Sequence, residues 1–201
     1  MGENKWVTLM ARQGWRTTLI AALGCVGACV AAAAAEDTAQ PNAPEVSAAG
    51  LAPTDVKTYG DWVVRCFPIK SPARCDMFQA TLDKASQRRI VSVSIAYAPS
   101  TGIYGAKIIV PLEVRLDAGV VVTADKFTSA AMAYTRCEHD GCYMEDKLDP
   151  ALVENLAKGQ AASLVVASVP GARVTLPLSL RGFSDALSAM KSLAIEKNQN
   201  Q

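Results

Sequence analysis

The stretch Arg89–Tyr97, RIVSVSIAY, decides the fold, because Val91, Val93, Ile95 and Tyr97 alternate with Ser92, Ser94 and Ala96. Apolar residues at every second position describe a strand with one face turned to a core. A helical period would scatter the same four side chains around the axis. Working outward, Lys107–Leu116 aligns Ile108, Val110, Leu112, Val114 and Leu116 before Asp117-Ala118-Gly119 and Val120–Ala124. Those two runs read as a hairpin. Arg173–Leu180 sets Val174, Leu176, Leu178 and Leu180 inward, and Pro177, which has no N–H to give a ladder, places that strand at an edge or a bulge. Further strands are expected at Trp62–Phe67, Asp76–Leu82, Met132–Cys137, near Cys142 and at Ala162–Val169.

Two helices interrupt the strands. Asp149 is a good N-cap, Pro150 suits the first helical position, Leu148 can staple to Val153, and Gly159 ends the element. The second runs from Ser184 to about Leu193, with Leu187, Met190 and Leu193 at helical spacing, and leaves a frayed polar tail over 196–201. The expected class is mainly β: an antiparallel β-sandwich or barrel-like domain with two short helices, stapled by disulfides.

The chain has 201 residues, 50% of them hydrophobic, and a formal net charge of +1. That length holds one domain with an appendage. So little excess charge and so few aromatic residues argue against a nucleic-acid surface. His139 is the only histidine, which excludes histidine-rich metal sites.

The appendage is N-terminal. Lys5, Arg12 and Arg16 precede the apolar run Leu19–Ala35, which ends in Ala33-Ala34-Ala35 before Glu36. These are the parts of a secretory signal peptide over 1–35, cleaved near Ala35. Two rivals are an uncleaved anchor and lipid attachment at Cys29, whose context Val26-Gly27-Ala28-Cys29 resembles a bacterial lipobox. Residues 36–57 carry three prolines and few large apolar groups, and read as a flexible Ala/Pro-rich linker to a domain over 58–195. Cleavage removes Lys5, Arg12, Arg16 and Glu3, taking the charge from +1 to −1, and leaves no transmembrane span in the mature form.

Cleavage also removes Cys25 and Cys29. Cys66, Cys75, Cys137 and Cys142 remain, an even number in an exported chain, so two disulfides are expected. Three connectivities are open, and proximity favours Cys66 with Cys75 and Cys137 with Cys142. Their spacings do not match structural zinc, and no Cys-x-x-Cys suggests redox work.

Three stretches invite a chemical reading. Ser188-Ala189-Met190-Lys191 matches Ser-x-x-Lys without its companion motifs. The carboxylates Glu138, Asp140, Glu145, Asp146 and Asp149 surround His139, but lack the calcium-loop pattern and read as a solvated hairpin tip followed by a helix cap. The third is the expected loop Ala98–Gly105, in which Ile103 and Tyr104 stand between two glycines as possible anchors for a partner. No catalytic, cofactor or metal site is assigned.

Tyr59-Gly60-Asp61-Trp62 with Val64 and Cys66, then Cys75-Asp76-Met77-Phe78, resembles the opening of the invasion-associated locus B family of bacterial envelope proteins. Pro111-Leu112, Leu116-Asp117-Ala118-Gly119-Val120, Arg136-Cys137, Gly141-Cys142 and Leu178-Ser179-Leu180-Arg181-Gly182-Phe183 continue the match. The resemblance spans Tyr59 to Leu193, and the long linker departs from it. It implies a periplasmic, outer-membrane-associated or secreted β-rich domain without enzymatic chemistry. The family's name comes from host-cell entry, although similar proteins occur in free-living alphaproteobacteria. The expected function is therefore an exported binding module whose partner is an envelope or host-surface protein or glycan. The competing expectation is a carboxylate-based envelope enzyme, such as a carbohydrate-active hydrolase.

Overall fold

The computed structural model describes residues 51–199. The expected signal segment with Cys29, and most of the expected linker, lie outside the described residues. The described chain is mainly β, with eleven strands in two antiparallel sheets and two α-helices. The strands are β1 (Asp55–Tyr59), β2 (Trp62–Cys66), β3 (Cys75–Leu82), β4 (Arg89–Ala98), β5 (Ile103–Val110), β6 (Val121–Ala124), β7 (Phe127–Thr128), β8 (Arg136–Glu138), β9 (Gly141–Lys147), β10 (Ala162–Ala167) and β11 (Arg173–Leu178). Helix α1 spans Pro150–Lys158 and α2 spans Phe183–Gln199.

The larger sheet runs β1-β2-β3-β4-β5-β9-β8 and the smaller β11-β10-β6-β7. Period-two patterning explains how they meet. Val91, Val93 and Ile95 of β4 and Ile108 and Val110 of β5 are all at most 4% exposed. Val93 pairs with Ile108 across the ladder, so one face of the large sheet presents a continuous apolar layer. Val122 and Leu164, paired across β6 and β10, meet that layer from the small sheet. Leu152 and Leu156 of α1 close the same core. Fully burying each such side chain contributes about 1.5–3 kcal/mol. Helix α2 packs on β1–β4 and against α1.

Both helix signals act as expected at α1, where the Asp149 carboxylate accepts the Ala151 N–H at 2.8 Å behind Pro150. Pro177 sits on β11, an edge strand, where its missing donor costs no ladder bond.

Four expectations need correction. Lys107–Leu116 and Val120–Ala124 do not form a hairpin, because β5 belongs to the large sheet and β6 to the small one. The ladder stops at Pro111; Glu113 takes φ +66°, and Val114 bridges to Ser168, just past the end of β10. Leu112 and Leu116 are consequently 46% and 58% exposed. Second, the domain begins before residue 58, since Asp55–Tyr59 is a strand paired with β2. Third, the tail is not frayed over its whole length: α2 continues to Gln199, held by Lys197 pairing with Asp55 and by Asn198 donating to the Pro72 carbonyl. Fourth, Val174 keeps the inward register, opposite the buried Val166, but lies at the rim and is 38% exposed.

Two disulfides staple the large sheet, Cys66–Cys75 and Cys137–Cys142. Each joins residues directly opposite on neighbouring strands, β2 with β3 and β8 with β9. The Cys66→Ala/Cys75→Ala double variant should lose about 2–3 kcal/mol in urea unfolding by the chain-entropy argument. The shorter Cys137–Cys142 loop should lose slightly less. Non-reducing peptide mapping should recover both pairs, and crossed pairs would refute the staples.

Candidate functional site

Two sequence stretches about 120 residues apart meet at one end of the large sheet, as the separation of Asp61 and Arg181 shows. The tight turn Gly60-Asp61 joins β1 to β2, with Tyr59 paired to Trp62. Against it lies Ser179–Gly182, the link from β11 to α2. Their backbones touch. The Asp61 N–H donates to the Arg181 carbonyl at 3.0 Å. A Cβ on Gly60 (φ +58°) would stand 2.4 Å from that carbonyl oxygen, and one on Gly182 (φ +81°) 2.1 Å from the Tyr59 oxygen. Only glycine permits this approach at these angles.

Side chains complete the junction. The Arg181 guanidinium forms an ion pair with the Asp61 carboxylate, to which the Ser179 hydroxyl also donates at 2.6 Å. Beneath, the wholly buried Trp62 donates its indole N–H to the Ser179 carbonyl at 2.9 Å and sets its ring edge-on to Phe183, centroids 5.1 Å apart. Gln79 on β3, 5% exposed, accepts the Ser179 N–H at 2.9 Å and donates to the Ser179 carbonyl at 3.2 Å. Sequence reasoning missed Gln79. Its signal was a polar residue in the inward register of Cys75 and Met77, where a buried amide must find partners.

An open cleft of about 620 Å³ lies beside the junction, lined by Gly159, Gln160, Ala161, Ser179, Leu180 and Arg181. The hydrogen bond from Arg181, followed by that from Ser179, holds the Asp61 carboxyl below its ordinary value of 3.8. A carboxylate so stabilised is a poor base, so Ser179 is positioned as a structural donor rather than a nucleophile. A lowered folded value contributes stability above the ordinary carboxylate range and loses it as pH falls through the folded value. The stability gap between the wild type and Asp61→Asn should therefore be wide at about pH 7 and shrink below about pH 4. Urea unfolding at several pH values checks this, and a pH-independent gap would show Asp61 unpaired in solution.

Ile103 and Tyr104 are not in a loop: they open β5, opposite Ala98 and Tyr97, after a tight turn at Gly102 (φ +70°). Tyr104 is half-buried and packs on Tyr97, centroids 5.0 Å apart, leaving Ile103 at 36% exposure. The Lys191 ammonium caps both rings at 5.2 and 5.7 Å. Lys191 is thus turned to the tyrosines, and Ser188 is exposed on the same helix. The two form no catalytic pair.

The acidic hairpin divides among cations. Glu138 and Glu145 both pair with Arg136, Lys107 adds to Glu145, and Asp140 pairs with Arg89 while accepting the Tyr143 hydroxyl. Burial raises the Asp140 and Glu145 values, yet bonds from Arg89 and Tyr143 on one and from Arg136 and Lys107 on the other bring both below normal. His139 is exposed at the tip. Arg136 also stacks over Tyr143 at 4.1 Å. The described residues hold no group of three or more His, Cys, Asp or Glu side chains placed to bind a metal. A further ion pair, Arg65 with Asp76, is more deeply set on β2 and β3, with Ser94 donating to the same carboxylate.

No curated protein matches the chain. Among solved structures, the crystal structure of invasion associated protein B from Bartonella henselae is similar, with a TM-score of 0.62 and 22% identity. The likeness covers 70% of this chain and 98% of that one, and concerns the fold. The family model described as invasion associated locus B (IalB) protein matches residues 62–191. This span starts at Trp62 within the first turn's hydrogen-bonded group and includes the whole second turn, Ser179–Gly182. With more than half of the sequence matched, the chain belongs to the invasion associated locus B family.

Proposed function

We propose that this protein is exported to the bacterial envelope and works there as a non-enzymatic binding module, in host-cell interaction or invasion. Its partner is a protein or glycan of the envelope or host surface, met at Ile103 with Tyr104. The observation that carries the reading is Ile103, a large apolar side chain 36% exposed at the start of a rigid strand and backed by the tyrosine pair. Aromatic residues with an apolar neighbour make efficient anchors. Against a carboxylate enzyme stands the pairing of Asp61, Asp140 and Glu145 with cations, which lowers their values where a general acid needs a raised one.

Neither helix among the described residues is long and apolar enough to cross a membrane. N-terminal sequencing of the envelope fraction should find a chain beginning at Glu36, and one beginning near Met1 would overturn cleavage. In affinity capture with intact disulfides, Ile103→Asp should lose the partner that the wild type retains. Equal recovery by both proteins would remove Ile103 from the binding surface.

A further inference from the structure

We propose that the Cys137–Cys142 disulfide is the exchange site of this protein: a dissolved dithiol attacks the Cys137 sulfur and opens that bond while Cys66–Cys75 stays closed. The two staples are alike in kind, since each joins residues directly opposite on neighbouring antiparallel strands. They differ in where the fold puts them. β2 and β3 lie inside the large sheet, and Cys66 continues the register of Trp62 and Val64 on the face that meets α2 through Phe183. Cys66 and Cys75 are accordingly 1% and 0% exposed. The end of α2 also straps this region: Lys197 pairs with Asp55, the ladder partner of Cys66, and Asn198 donates to the Pro72 carbonyl in the loop that the disulfide closes.

Cys137 has no such cover. β8 is the outermost strand of the large sheet, and its three residues are all exposed. Its partner Cys142 is the opposite case, 2% exposed on β9 and paired across the ladder with Val110, itself 1% exposed. The bond thus has one accessible end and one rooted in the core. Exchange needs a thiolate in line with the sulfur–sulfur bond, on the far side of the sulfur attacked, so access selects Cys137. The neighbouring carboxylates do not bar the approach. Glu138 pairs with Arg136 and Asp140 with Arg89, which offsets their repulsion of an incoming thiolate.

The dithiol's thiolate forms a new bond to the Cys137 sulfur, and the Cys137–Cys142 bond breaks with its electron pair on Cys142, which then takes a proton from water. The second thiol of the reductant, as a thiolate, attacks the reductant's own sulfur in this mixed disulfide and releases Cys137. Two electrons have passed to the protein, and the dithiol has become a disulfide. The fold survives the opening. β8 keeps Arg136 opposite Tyr143 and Glu138 opposite Gly141, the Arg136 pair with Glu145, and the Thr135 N–H bond to the Tyr143 carbonyl at 2.7 Å. Cys142 therefore stays across from Cys137, and the same steps run backward with a disulfide in place of the dithiol.

Timed exposure of the native protein, both disulfides formed, to dithiothreitol tests the assignment, with acid quenching, alkylation after unfolding, and peptide mapping. Cys137 and Cys142 should become alkylated at least about tenfold faster than Cys66 and Cys75, because the buried pair waits for an opening of the structure. Protein opened only at Cys137–Cys142 should still melt in one cooperative transition. The direction of attack is read on single variants given oxidised glutathione: Cys142→Ser should carry glutathione on Cys137, whereas Cys137→Ser should leave Cys142 unmodified while folded. Equal rates at the two disulfides, faster opening of Cys66–Cys75, loss of the cooperative melt on selective opening, or glutathione on Cys142 rather than Cys137 would each overturn the proposal. The rates are read on the unmodified chain, so they decide the matter even if a variant fails to fold.

Discussion

Trp62→Ala should destabilise the domain by about 3–5 kcal/mol, the range for removing a fully buried tryptophan. Trp62 is 0% exposed, packs its ring edge-on to Phe183 and closes the space between β2 and the start of α2. Truncation loses the ring's transfer free energy and leaves a cavity that the two disulfide-stapled strands beside it cannot readily collapse. It also deletes the indole donor to Ser179, although that carbonyl keeps the Gln79 amide. Trp62→Phe should therefore recover much of the loss. Urea unfolding of the three proteins separates the terms: Trp62→Ala within about 1 kcal/mol of the wild type would show that the core closes without the indole.

Gly182→Ala should cost about 2–4 kcal/mol, from a methyl group forced into backbone together with an unfavourable positive φ. The new Cβ would lie 2.1 Å from the Tyr59 oxygen and 2.8 Å from the Gly60 nitrogen, atoms that are main chain on both counts and cannot swing aside. Gly171 gives the control. It also has positive φ, at +91°, but an added Cβ meets nothing within 4 Å. Gly171→Ala should thus carry only the conformational penalty, about 1–2 kcal/mol. Equal losses at the two positions would mean that the turns at Gly60 and Gly182 are not in contact in solution. Gly60→Ala should resemble Gly182→Ala, and the double variant should lose less than the sum because both clashes disrupt one contact.

The fold was legible where a local pattern carries the physics. Alternation in β4 reports a sheet face because successive side chains must point opposite ways, whichever strands lie alongside. Pro177 reported an edge or a bulge because a missing donor is intolerable inside a regular ladder, and the structure shows the edge. Asp149-Pro150 reported a helix start because the cap is made within three residues. β1 was not legible. Asp55–Tyr59 has little apolar alternation and becomes a strand through its main-chain ladder to β2. Nor was the end of α2, whose polar residues are held by Asp55 and Pro72 far away in the chain.

The candidate site divides in the same way. Ile103 and Tyr104 could be singled out as large groups between two glycines, but their state could not, since Tyr104 is drawn down by Tyr97 across the ladder and by Lys191 from α2. The acidic hairpin looked like a ligand set or a solvated tip. Arg89, Arg136 and Lys107 decide between these by supplying cations, and Arg89 and Lys107 come from other strands.

By itself the sequence determined that this is a β-rich domain, with most of its strands, both helices, an edge or bulge at Pro177 and a resemblance to one envelope family. Each of those rests on interactions within a few residues or on the period of the backbone. Only the tertiary structure decided that Lys107–Leu116 parts from Val120–Ala124, because a continuing apolar alternation does not say which sheet will receive it. The bridge from Val114 to Ser168 does. Likewise, Gly60 and Gly182 stand in two separate motifs of the chain and make one close contact in the fold. A steric requirement between backbones that far apart leaves no local trace except the glycines themselves.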